Sequence, residues 1–166
     1  MMTENILARL FEHNNWANQK IMEVCSALTD DQLDAPPQSA TEGSIRSTLT
    51  HLVSAQHGYL RLLTIPLEER KDRVTLQFDE LQESLKSSGE RLLELARDES
   101  KLPTTRLRTR DDYRVEPWVV MIQIINHATE HREQIKSMLT ALGIEPPSID
   151  GWDYGDAMKA LVPMER

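Results

Sequence analysis

The sequence is poor in the residues that usually staple, flatten or anchor a small protein. Its single cysteine, Cys25, rules out an intramolecular disulfide and a thiolate metal cluster, and it fits a reducing cytoplasm. Only 5% of the residues are aromatic and only 6 are glycine. Runs of Val, Ile, Thr and Tyr are largely absent, which disfavours a sandwich or barrel. No run approaches eighteen apolar residues, and Met1-Met2-Thr3-Glu4-Asn5 lacks the basic and apolar segments of a secretory signal. Neither export nor membrane insertion is therefore expected. Positive charge is also scarce: 19 Lys and Arg against 27 Asp and Glu give a net charge of -8. Such a surface repels phosphate backbones and anionic lipid, so neither nucleic acid nor membrane is an expected partner. The one basic stretch, Arg106 to Arg110, is followed at once by Asp111 and Asp112 and reads as a solvated loop.

What the sequence does contain is helical periodicity. Its 166 residues and 39% hydrophobic content suffice for one domain spanning 1–166 with a real core. From Thr3, read as an N-cap, to about Leu28, apolar residues recur at Ile6, Leu10, Ala17, Ile21, Val24 and Leu28. Thr29-Asp30-Asp31-Gln32 has capping-box form and predicts a short helical turn ended by Pro36 and Pro37. A second long helix is expected from Ser44 to about Leu63, with Ile45, Leu49, Leu52, Ala55, Tyr59 and Leu62 inward. A third is expected from about Thr75 to Asp98, interrupted near Ser87-Ser88-Gly89. Lys101 to Glu116 reads as a polar connection, with a short hairpin or ordered loop over Thr104 to Val115. Pro117 opens a fourth helix that runs to Leu142 and stops at Gly143, and a last short helix is expected over Tyr154 to Leu161. The fold class is all-α: a four-helix bundle with short extra helices and a long connection before the fourth helix.

The chemistry concentrates on histidine. His127 and His131 lie four apart, on one stripe of the fourth helix with Val120, Ile124, Ile135, Met138 and Leu142. Glu130, Glu133, Asn126 and Ser137 take the opposite side. Imidazoles among apolar side chains need a partner. His51, at the border of the second helix's apolar stripe, can supply a third nitrogen from a facing helix. Spacing alone leaves the bland reading open, in which these are packed histidines. The run His127-Ala128-Thr129-Glu130-His131 is not the zincin pattern, which needs Glu directly after the first His. His13 is read as a hydrogen-bonded packing residue, with a ligand-supporting or proton-shuttling role beside the site as the alternative, His57 as exposed, and Trp16 and Trp118 as core or interface residues. Cys25 lies far from any activating base. Asp150, Trp152 and Tyr154 occupy a segment that could fold across the bundle mouth and bring the Tyr154 hydroxyl to a leaving group.

Three segments resemble the DinB/YfiT-like superfamily: His13-Asn14-Asn15-Trp16-Ala17-Asn18, Gly43 through His51, and Asn126 through Ile135. Leu142-Gly143-Ile144-Glu145-Pro146-Pro147 followed by Asp150 resembles the family's ending, so the likeness covers nearly the whole chain in order. The resemblance implies an up-down bundle with a crossover. It also implies a divalent metal on His51, His127 and His131, with zinc the default and nickel, iron or manganese admissible, and frequent homodimers. Characterised relatives include S-transferases using low-molecular-weight thiols such as bacillithiol or mycothiol, and a thiol-dependent maleylpyruvate isomerase; others are stress-inducible. The implied function is a metal-dependent transferase joining such a thiol to electrophilic small molecules. The alternatives are a metal-dependent hydrolase and a non-catalytic metal- or ligand-binding stress protein. One departure is Glu133, where the family commonly has Gly.

Overall fold

A computed structural model describes residues 5–37, 43–70 and 76–164. Its long helices are α1 (Ile6–Ser26), α3 (Ile45–Thr64), α4 (Leu81–Arg97) and α5 (Pro117–Ala141), with short helices α2 (Asp30–Leu33) and α6 (Gly151–Ala157). Strands β1 (Leu107–Arg108) and β2 (Arg114–Val115) pair antiparallel, so the hairpin expected in the connection is present.

Local chemistry sets most helix ends. The Ser44 side chain accepts from the Ser47 amide to start α3, and Thr29 and Gln32 form the reciprocal capping box of α2. At the end of α5, Gly143 takes φ +73°. The Ile144 amide then bonds the Leu139 carbonyl and the Gly143 amide bonds that of Thr140, the pairing of a Schellman stop. Arg46 in the first turn of α3 bridges Asp30 and Asp34 at 2.6 and 2.7 Å, fixing α2 to α3.

The long helices form a ring in which α1 and α3 are diagonal and each packs on both α4 and α5. One apolar cluster joins Ile21, Cys25, Leu49, Leu85, Ile135 and Leu139. A second joins Phe11, Leu60, Leu92, Leu95, Val120 and Ile124 at the other end. The positions contributed to each end show α1 and α5 running one way and α3 and α4 the other. Because α3 and α4 are parallel, the chain between them returns the length of the bundle, the crossover that the resemblance implied.

A polar layer separates the two clusters. Arg132, only 3% exposed, donates to Asn14 Oδ1 at 2.8 Å, Asn18 Oδ1 at 2.7 Å and Thr129 Oγ1 at 2.9 Å. Asn18 Nδ2 donates on to Gln56, whose amide donates to Ser88 Oγ and the Leu85 carbonyl. All four long helices are tied at this height.

Several expectations need correction. Helix α1 is capped by Asn5, whose side chain accepts from the Ala8 amide; Thr3 lies outside the described residues. The inward face of α1 includes Phe11, Asn14, Asn18 and Met22, whereas Ile6 and Leu10 are 67% and 45% exposed. Two buried asparagines serving the polar layer hid the phase of the apolar stripe. Helix α4 begins at Leu81 after a 3-10 turn (Phe78–Glu80); the expected start, Thr75, lies outside the described residues. It runs unbroken through Gly89, where an added Cβ would sit 2.7 Å from Asn15 Oδ1. The glycine thus permits close approach of α1 rather than breaking α4. Helix α6 starts earlier than expected because Asp150 caps it, accepting from the Trp152 and Asp153 amides. Trp118 is 62% exposed and is no core residue.

Candidate metal centre

His127 and His131 stand one turn apart on α5, and the packing of α3 against α5 brings His51 to the same point. His51 Nε2 lies 3.0 Å and His131 Nε2 3.1 Å from His127 Nε2. One nitrogen from each of the three lies within 4.8 Å of the others. Ligands at 2.0–2.1 Å from a tetrahedral ion are about 3.3 Å apart, so the donor set fits a single divalent ion. His51 is exposed and the other two are half-buried, so the trio is open to solvent.

The nitrogen chemistry fits ligation. His131 Nδ1 is 2.7 Å from Gln134 Oε1. An amide oxygen only accepts, so Nδ1 carries the proton and the Nε2 lone pair faces the cluster. Burial, followed by the neighbouring His131 and His51, lowers the pKa of His127 to about 4, which keeps that ring neutral near pH 7.

A cavity of about 530 Å³ opens beside His51 and His127, within the range of small-molecule sites. One face of α3 forms its floor, and the small Ala55 and Gly58 leave room between His51 and Tyr59. The Tyr59 ring meets the His127 ring edge-on at 5.7 Å. The opposite wall is Arg70 with the hairpin tip, Thr109 to Asp111. Asp111 is the carboxylate among the described lining residues. The connection thus contributes a carboxylate to the cavity wall.

Other candidates lie elsewhere. His13 Nε2 is 2.9 Å from the Ile149 carbonyl, and its ring packs near Trp16 and Tyr154; this is the packing role expected of it. Trp16 packs against the core. Tyr154 donates to Glu12 Oε2 at 3.5 Å and does not line the cavity. The C-terminal segment docks on α1, and the hairpin, not that segment, walls the mouth. His57 is half-buried rather than exposed, its pKa lowered by burial and then by Arg61 and Arg91. Cys25 is buried, and burial raises its thiol to about 12, so it supplies no nucleophile.

Sequence reasoning missed Gln134, Tyr59 and the guanidinium wall. Gln134 follows His131 by three positions, a spacing that gives contact on a helix, and Tyr59 is two turns beyond His51. Arg70 follows α3 and Arg110 comes from the hairpin, and no local pattern joins either to the histidines.

The profile of the DinB family matches residues 1–161. The fold is shared with a DinB-family protein from Exiguobacterium sibiricum, at TM-score 0.64 and 16% identity over 86% of this chain and 95% of that one. A DinB-like protein from Bacillus cereus is similar at TM-score 0.61 and 15% identity, over 87% and 95%. No curated protein matches the chain. Among the described residues, no helix is long and apolar enough to cross a membrane.

Proposed function

The chain belongs to the DinB family, and from that premise we propose that it is a metal-dependent transferase joining a low-molecular-weight thiol to electrophilic small molecules. The observation that carries this reading is the convergence of three imidazole nitrogens within 4.8 Å beside a cavity of about 530 Å³. His51, His127 and His131 are the ligands, zinc the first choice of ion, with nickel, iron and manganese as alternatives. A divalent ion held by these three imidazoles would lower the pKa of a thiol or water bound to it.

The chain's own residues then do the rest. Gln134 holds the His131 ring in one tautomer. Tyr59 and Ala55 bound the space for the electrophile. Asp111, on the cavity wall, accepts the thiol proton. In the overall reaction a carbon–sulfur bond forms, and a leaving group such as halide departs with the bonding pair. Detoxification in a reducing cytoplasm suits this chemistry. The same Asp111 favours a second reading, hydrolysis, with water in place of the thiol. We also propose a homodimer, supported by Trp118 and Ile122, one turn apart on α5 and 62% and 52% exposed.

The test is conjugation of monochlorobimane by the metal-loaded chain with bacillithiol, mycothiol, coenzyme A or cysteine. Acceleration by at least one thiol, lost in His51→Ala, is expected. Failure with every thiol overturns the transferase reading, and ester hydrolysis under the same conditions supports the second.

A further inference from the structure

The wall of the cavity opposite the histidines is cationic, although the chain as a whole carries a charge of -8. Arg70 and Arg110 stand on it, and Arg61 lines the same cavity from α3. Arg70 is the key group. Its Nε donates to the Ile65 carbonyl at 2.7 Å, Nη1 to the Arg108 carbonyl at 2.7 Å and Nη2 to the Leu62 carbonyl at 3.4 Å. These partners fix the guanidinium between α3 and the hairpin without neutralising it. Among the described residues no carboxylate lies within ion-pair distance of Arg70. Glu68 acts on it only at longer range, while Arg110 and Arg61 repel its charge. The Arg110 side chain in turn donates to the Arg70 carbonyl at 3.0 Å, which locks the two together. A guanidinium carries five N–H donors, so Arg70 retains donors for a ligand. Asp111 is the one opposing charge among the described lining residues.

We propose that this wall is the recognition site for an anionic group, carboxylate or phosphate, on the small-molecule substrate, with the reacting end of that molecule directed at His51 and His127. The inference rests on the reading of this cavity as a substrate site and adds the substrate's charge class. Preorganised guanidinium groups are suited to such oxyanions. The volume of about 530 Å³ admits a molecule that spans both walls. If neither the thiol nor the electrophile carried an anionic group, the Arg70 charge would be left unanswered on the wall of the occupied cavity.

The experiment is calorimetric titration of the metal-stripped full chain at pH 8 with inorganic phosphate and separately with malonate. Saturable one-to-one binding of at least one anion is expected, weakened about tenfold in Arg70→Gln or Arg61→Gln and retained in His51→Ala. Tighter phosphate binding assigns a phosphate-bearing substrate; tighter malonate binding assigns a carboxylic acid. The proposal is overturned if neither anion saturates, if binding disappears in His51→Ala, or if both arginine variants bind as the parent does. Should Arg70→Gln fail to fold, unchanged affinity in Arg61→Gln overturns it. The titration needs no metal, so failure of the metal reading leaves its result standing, and a metal-binding chain that ignores both anions contradicts this inference alone.

Discussion

Gln134 accepts a hydrogen bond from His131 Nδ1 at 2.7 Å, and that one contact decides which nitrogen of His131 faces the cluster. Removing such a support costs metal sites about 10- to 100-fold in affinity. Gln134→Ala is therefore expected to weaken zinc binding by about that factor while leaving the helical circular dichroism unchanged. Competition with a chromophoric chelator measures it, and equal affinity in the two proteins would refute the role.

Protonation of His127 should couple to stability. Its pKa in the fold is about 4 against an ordinary value of 6.5. The unfolded chain thus takes up a proton first as the pH falls. The metal-free protein should lose stability between about pH 6.5 and pH 4, with no contribution from this group above that window. Denaturant melts of the parent and His127→Gln across that range test it: the parent's slope should be the steeper.

Arg132 anchors the polar layer between the two apolar clusters. Arg132→Met orphans acceptors on Asn14 and Asn18, each costing about 1–3 kcal/mol when buried and unpaired. A loss of about 2 kcal/mol or more in urea unfolding is expected, and a neutral result would mean that the layer relaxes without it.

Gly89 and Asn15 form a coupled pair. Asn15 Nδ2 donates to the Gly89 carbonyl at 2.9 Å, and a Cβ at 89 would displace that side chain. Gly89→Ala alone should destabilise. In an Asn15→Ala background the same change should stabilise by up to about 1 kcal/mol, the helix-propensity gain. Equal effects in both backgrounds would contradict the packing account.

Much of the fold was legible because local signals agreed with tertiary demand. Ser44, Pro117 and Gly143 mark real helix ends, and the four-residue step from His127 to His131 places both rings on one face of α5. The failures share a cause. Asn14, Asn18 and Arg132 are polar residues buried for one another across helices, so each looks like a surface residue when read along its own helix. The first helix's stripe was mis-phased for that reason. Gly89 looks like a breaker until the neighbouring helix is in view. The guanidinium wall depends on the long return from α3 and on a hairpin, contacts that no helical period encodes. At Tyr154 a motif at the chain's end suggested a mouth cover, but its ring packs on His13 and Trp16 instead.

The central claim is that His51, brought from α3, completes a single-ion site with His127 and His131. Elemental analysis of the purified chain after zinc loading and dialysis tests it most directly, run beside His51→Ala with circular dichroism as the folding control. One zinc per chain in the parent and loss of bound zinc in the folded variant is the predicted result. A parent chain that retains no zinc, or a variant that retains the full complement, would contradict it.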